Sequence, residues 1–104
     1  MNRAELLERV KQAVHEIEPA ADIVLYGSRA RGDAHDESEW DFLILLDGVV
    51  DEARTDAIRH RLYGIEWDCG EVLCSIVRSR QEWGSSLHQT TPFAHMLREQ
   101  GIRL

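Results

Sequence analysis

The residues of this chain best suited to chemistry lie between positions 27 and 41. Gly27-Ser28 closes one apolar run, Ile23-Val24-Leu25-Tyr26, and Glu39 and Asp41, two residues apart, open another, Phe42-Leu43-Ile44-Leu45-Leu46. Gly27 has no Cβ, so a phosphate can come close to its backbone. Ser28 adds a hydroxyl where the amides of a starting helix point outward, which favours anions. Alternate side chains of a strand share a face, so Glu39 and Asp41 point one way and Trp40 the other. Carboxylates placed like this bind Mg²⁺ or Mn²⁺ and leave coordination positions for triphosphate oxygens. In nucleotidyl transfer such an ion neutralises developing charge. On neighbouring strands the two pieces form a site for a metal-bound nucleoside triphosphate. Taken singly, a Gly-Ser turn or an acidic strand entrance is ordinary surface; the reading rests on their joint order.

The elements that must hold these residues follow from periodicity. Leu6, Leu7, Val10, Ala13, Val14 and Ile17 give residues 3–17 one apolar helical stripe. Pro19 stops that helix by disfavouring helical geometry at Glu18. Residues 22–26 read as a strand covered on both faces. Residues 28–31 start a brief helix broken at Gly32, and residues 33–38 are a loop containing His35. Residues 39–46 read as the central strand, ended by Asp47-Gly48. A second long helix begins near Asp51 with Ala53, Ala57, Ile58, Leu62 and Ile65 on its inner side, and Gly64 and Gly70 bracket a stretch without clear pattern. Residues 72–77 form a third strand. Ser79 with Glu82 is a capping box for a short helix, Thr91-Pro92 starts the last helix, and Gly101 stops it. The expected architecture is a small α/β domain with one sheet. Trp40, Trp67 and Trp83 read as core or interface residues.

Composition narrows the classes. The chain has 104 residues, a size for one compact domain spanning 1–104. No apolar run approaches the length of a membrane span, and the polar start Met1-Asn2-Arg3-Ala4-Glu5 lacks a signal segment, which implies the cytoplasm. Acids outnumber bases 19 to 12, for a net charge of −7, which argues against a broad nucleic-acid-binding surface. Cys69, Cys74, His88 and His95 come near a Cys2His2 zinc spacing, but their gaps of four, thirteen and six residues fall outside the usual ranges. Two reduced thiols are the better reading.

The segment 25–32, with Gly27, Ser28, Arg29 and Arg31, followed by Ser38-Glu39-Trp40-Asp41-Phe42, closely resembles the DNA polymerase β-like nucleotidyltransferase superfamily. Within it the chain is similar to the minimal nucleotidyltransferases (MNT-domain proteins). The resemblance implies an α+β fold with a small mixed sheet flanked by helices. It also implies a nucleotidyltransferase that moves a nucleoside monophosphate from ATP or another triphosphate to a hydroxyl acceptor. Gly27 and Ser28 match the family's phosphate-binding pair, with Arg29 and Arg31 the cations beside it. Glu39 and Asp41 match the catalytic, metal-binding carboxylates, although the family usually has Asp at the first. Active members take a third carboxylate from the next strand, where alignment puts Cys74, with Glu71 and Asp68 the nearest acids. The family further implies a small helical HEPN-domain partner in a toxin–antitoxin module, with a homo-oligomer the other assembly open to the chain. The alternative function is an antitoxin that acts by contact with its partner.

Overall fold

The computed structural model describes the backbone of residues 1–104 and every side chain except those of Ser86 and Leu87. Helix α1 (Arg3–Ile17) is capped by Asn2, whose side chain accepts from the Glu5 amide, and it ends at Glu18 before Pro19. Strand β1 (Asp22–Tyr26) leads into the one-turn helix α2 (Ser28–Arg31) and then β2 (Trp40–Leu46). Helix α3 (Glu52–Cys69), capped by Asp51, precedes β3 (Leu73–Ser79). The chain closes with α4 (Arg80–Trp83), α5 (Ser86–Gln89), α6 (Pro92–Gln100) and β4 (Ile102–Arg103). The sheet runs β3-β2-β1-β4, with β1 antiparallel to both of its neighbours and β2 parallel to β3. This is the small mixed sheet flanked by helices that the family resemblance implies.

Strand alternation explains how one sheet serves two faces. Trp40, Phe42, Ile44 and Leu46 join Ile23, Leu25, Leu73 and Val77 in the main core. That face is covered by Leu6, Val10 and Val14 of α1 and Ile58, Leu62 and Ile65 of α3. Truncating a member as buried as Leu25 or Ile44, both 0% exposed, to alanine costs about 2–5 kcal/mol. The odd-numbered residues of β2 face the other way, where Leu43 is buried and Asp41 half-buried. On that second face Tyr26 meets Phe93 of α6 edge to face at 5.1 Å, and Phe93 meets Trp83 of α4 at 5.7 Å.

Several boundaries differ from the sequence reading. β2 starts at Trp40, so Glu39 stands just outside the ladder, at its entrance. β3 is shifted to Leu73–Ser79. α3 continues through Gly64 to Cys69, because Ile58, Leu62 and Ile65 bury one stripe and outweigh a single glycine. Ala53 and Ala57 are exposed: the buried stripe passes between them and their neighbours. Trp67 is 75% exposed and meets Tyr63 edge to face instead of filling the core. Strand β4 escaped the sequence reading altogether. It reaches β1 only because Gly101 passes Val24 closely; a Cβ there would sit 2.8 Å from Val24 Cγ1 and 2.5 Å from the Leu97 carbonyl oxygen.

Candidate active site

The turn after β1 depends on Gly27. Its φ of 76° and ψ of −159° lie in a region that only glycine occupies at low cost. A second constraint is spatial, since a Cβ on Gly27 would lie 2.7 Å from Asp41 Oδ2. Ser28 opens α2 directly after this turn. The first amides of a helix have no acceptor within it, so those of Ser28 and Arg29 remain available for a ligand.

Register brings the rest of the site together. Asp41 pairs with Tyr26 on one side and Cys74 on the other. Paired residues share a face, so Tyr26, Asp41 and Cys74 form a row across three strands on the second face. Glu39 joins from the strand entrance, accepting a hydrogen bond at Oε2 from Cys74 Sγ, 3.2 Å away. One donor atom from each of Glu39, Asp41 and Cys74 lies within 4.8 Å of the others. Among the described residues no arginine, lysine or histidine forms an ion pair with Glu39 or Asp41.

The electrostatics of this row are those of crowded, uncompensated acid. Burial, and then the Glu39 charge, raise the carboxyl of Asp41 above its ordinary range. Burial and the hydrogen bond to Glu39 push the Cys74 thiol up to about 11. Tyr26 is pushed up to about 12, first by burial and then by the charge of Asp41 and of an ionised Cys74. A cation introduced here would favour the charged form of all three groups and so oppose each shift.

The two arginines of the motif hold protein partners. Arg29 donates to the Ser38 carbonyl at 2.9 Å, pairs with Glu71 at 3.4 Å and stacks over Trp40 at 4.6 Å. Arg31, on the exposed end of α2, pairs with Asp33 at 3.1 Å. The acids flanking β3 are also engaged elsewhere. Glu71 accepts from Trp40 Nε1 at 3.0 Å, Glu66 accepts from the Leu73 amide at 3.0 Å, and Asp68 pairs with Arg9. Cys74 therefore holds the place beside Asp41, as the strand alignment predicted. Tyr26 was missed as a member of the row, although its parity on β1 and its place before Gly27 were the available signal. Of the residues near a zinc spacing, Cys69 packs against the core, His88 hydrogen-bonds Ser85 Oγ and His95 pairs with Glu99.

Residues 7–83 match a family model described as a nucleotidyltransferase domain. The chain belongs to that family. No curated protein matches it in sequence. Among solved structures, a toxin–antitoxin with AMP-PNP is similar with a TM-score of 0.65 and 15% identity, over 92% of this chain and 69% of the other. A mutant form of the toxin–antitoxin MntA-HpeT is similar with a TM-score of 0.54 and 16% identity, over 99% and 72% of the respective chains. At these identities the likeness is one of fold. No helix among the described residues is long and apolar enough to cross a membrane.

The nucleotidyltransferase family implies a divalent metal, and the donor set fits one. Two carboxylates and a thiol converge with no competing cation among the described residues, and the absence of a Cβ at Gly27 keeps Asp41 unobstructed.

Proposed function

We propose that this nucleotidyltransferase domain binds a metal-complexed nucleoside triphosphate, such as ATP with Mg²⁺ or Mn²⁺, and transfers its nucleoside monophosphate to a hydroxyl acceptor carried by a partner protein. The observation that carries the proposal is the packing of the Gly27 turn directly against Asp41, in a cluster whose acids have no ion-pair partner among the described residues. The likeness to a toxin–antitoxin bound to a triphosphate analogue supports it.

In this reading Gly27 and Ser28 hold the phosphates, through the open amides after the turn and the Ser28 hydroxyl. Arg31, exposed at the end of α2, reaches the triphosphate by leaving Asp33. Arg29 acts from behind: its bonds to the Ser38 carbonyl and Glu71 fix α2 against the loop that carries Glu39. Glu39 and Asp41 are the catalytic carboxylates and would hold the metal, which when bound supplies charge neutralisation at the reacting phosphate. Tyr26, kept protonated, is a hydrogen-bond donor beside Asp41.

A second reading has its own observation. Tyr63 and Trp67 meet edge to face at 6.1 Å and are 55% and 75% exposed, with Val72 close by in sequence and 51% exposed. Exposed aromatic surface of this kind marks a protein interface. The alternative is an antitoxin that works by contact with a small helical partner, for which a HEPN-domain protein is the candidate. Incubation with α-labelled ATP, Mg²⁺ or Mn²⁺ and such a partner separates the two. Label on the partner that is lost with Asp41→Asn supports transfer. A stable complex that neutralises the partner without label, equally well with Asp41→Asn, supports contact.

A further inference from the structure

We propose that Cys74 is itself a metal ligand, so that this site prefers a thiophilic divalent ion such as Zn²⁺ to Mg²⁺. The inference rests on the metal–nucleotide reading of the same site and specifies its donor chemistry.

The two cysteines of the chain are placed very differently. Cys69, at the end of α3, packs against the hydrophobic core. Cys74 is on β3 directly beside Asp41, on the face opposite that core, and its sulfur contacts Glu39. Neighbouring strands lie about 4.8 Å apart, so side chains paired across them can share one ion. A tetrahedral ion holds its donors roughly 3.5 Å apart. Sγ and Glu39 Oε2 already stand at 3.2 Å, and the whole set fits within 4.8 Å. Glu39 is exposed and outside the ladder, so a side-chain rotation closes the difference.

Among the described residues no third carboxylate joins Glu39 and Asp41 in this cluster. Glu66, Glu71 and Asp68 are held by the Leu73 amide, by Trp40 with Arg29, and by Arg9. Among the described residues the metal-ligating cluster is therefore two carboxylates and one sulfur. Mg²⁺ takes oxygen ligands in near-octahedral geometry and gains little from sulfur. Zn²⁺ and Co²⁺ accept sulfur and oxygen together and are bound more tightly by such mixed sets. Three protein ligands with a fourth position open is the arrangement of catalytic zinc sites, and here a phosphate oxygen would take that position. Binding exchanges the S–H bond for a sulfur–metal bond, and the proton passes to buffer.

The test is titration of reduced, chelator-treated protein with Co²⁺, followed by displacement with Zn²⁺. The expected result is a near-ultraviolet sulfur-to-cobalt charge-transfer band that Zn²⁺ abolishes. It should persist in Cys69→Ser and vanish in both Cys74→Ser and Cys74→Ala, with Zn²⁺ affinity lowered roughly 100-fold, the upper end of what even outer-shell changes cost. Cys74→Asp, which restores an oxygen donor, should lose the band and gain Mg²⁺ affinity. Absence of the band in the wild type, or its survival in the Cys74 variants, overturns the proposal. Thermal shifts with Mn²⁺ and ATP keep the two readings apart. An Asp41-dependent shift without the band leaves the nucleotide site standing and removes thiol ligation. The band without a nucleotide shift does the reverse, and absence of both removes both.

Discussion

The two ends of the sheet carry the same kinds of side chain and treat them in opposite ways. At the end where β1 begins, Asp22 is surrounded by cation. Arg80 donates to it at 2.9 and 3.1 Å, Arg103 pairs with it, and Arg80 also reaches Asp47 and the Ala20 carbonyl. Burial alone would raise the Asp22 carboxyl, but these bonds hold it below its ordinary range. Nearby, Glu18 is lowered by its paired hydrogen bonds from Arg54 at 2.8 and 2.9 Å. At the end where β1 finishes, Asp41 and Glu39 stand side by side with no ion-pair partner among the described residues, and burial, then the Glu39 charge, raises Asp41. Acid that is neutralised holds the fold together. Acid left crowded costs stability and is kept where a ligand supplies the missing charge.

Exchanging each acid for its amide gives the largest contrast. Asp41→Asn is expected to abolish the thermal stabilisation by metal and nucleotide, which for the intact site is about 2.7 kcal/mol at a hundredfold excess over Kd. Label transfer should fall by about 10²–10³-fold or more, the scale of losing one transition-state electrostatic contact. Without ligand the same variant should be more stable than the wild type at neutral pH. A carboxyl whose native pKa is raised weakens the fold as pH climbs above its unfolded value near 3.9, so the gain appears there and disappears below it. Asp22→Asn should do the opposite, losing stability while keeping nucleotide binding. A nucleotide-dependent shift that survives Asp41→Asn and is lost in Asp22→Asn would invert the assignment of the two ends.

Gly27→Ala tests the geometry at the acidic end with no change of charge. The backbone conformation alone costs about 1–3 kcal/mol for a residue with a Cβ. The contact at 2.7 Å with Asp41 Oδ2 adds to this and displaces the carboxylate. Urea unfolding should show a lower midpoint, and calorimetry should show metal–nucleotide binding reduced even at temperatures where the variant is fully folded. Unchanged binding in a folded variant would mean that Asp41 does not need its present place.

What the sequence disclosed about this contrast was local. Gly27-Ser28 is legible because a dipeptide fixes a turn, and Glu39 and Asp41 because strand parity needs only the two-residue period. The apolar stripe of α1 was equally plain, as were the caps at Ser79 and Thr91, whose side chains accept from the Glu82 and Ala94 amides. What stayed hidden depends on partners far along the chain. Nothing near Arg80 points to Asp22, 58 residues earlier. Nothing in the motif shows that Arg29 turns away to Trp40 and Glu71. Strand β4 is two exposed residues long, too short for any pattern, and exists through its pairing with Val24 and Leu25. Tyr26 and Cys74 became members of the site only when the register set both against Asp41.

The neutralised end has a pH signature of its own. Arg80→Ala should lower the urea midpoint at neutral pH and leave metal–nucleotide binding intact. Because the native pKa of Asp22 is lowered, its contribution is complete above the unfolded value near 3.9 and fades as pH falls through the native one. Removing Arg80 takes away much of that lowering, so the gap between variant and wild type should narrow as pH drops below about 4. A gap independent of pH would mean that Arg80 acts through its bond to the Ala20 carbonyl rather than through its carboxylates.

The smallest effect on stability separates the two motif arginines. Arg31 and Asp33 are 41% and 60% exposed, and pairs of this kind contribute little. Arg31→Ala should therefore change unfolding by no more than about 0.5 kcal/mol. If Arg31 swings to the triphosphate, the same variant loses nucleotide affinity several-fold, and the loss shrinks at high salt because the contact is exposed. Arg29→Ala differs in kind, for it strips Trp40 and Glu71 of a half-buried partner and should lower stability before any effect on nucleotide is read. Calorimetric titration of ATP with Mn²⁺ at two salt concentrations distinguishes the cases. Affinity that is unchanged in Arg31→Ala removes that residue from the phosphate site and leaves Gly27, Ser28 and the metal to hold the triphosphate.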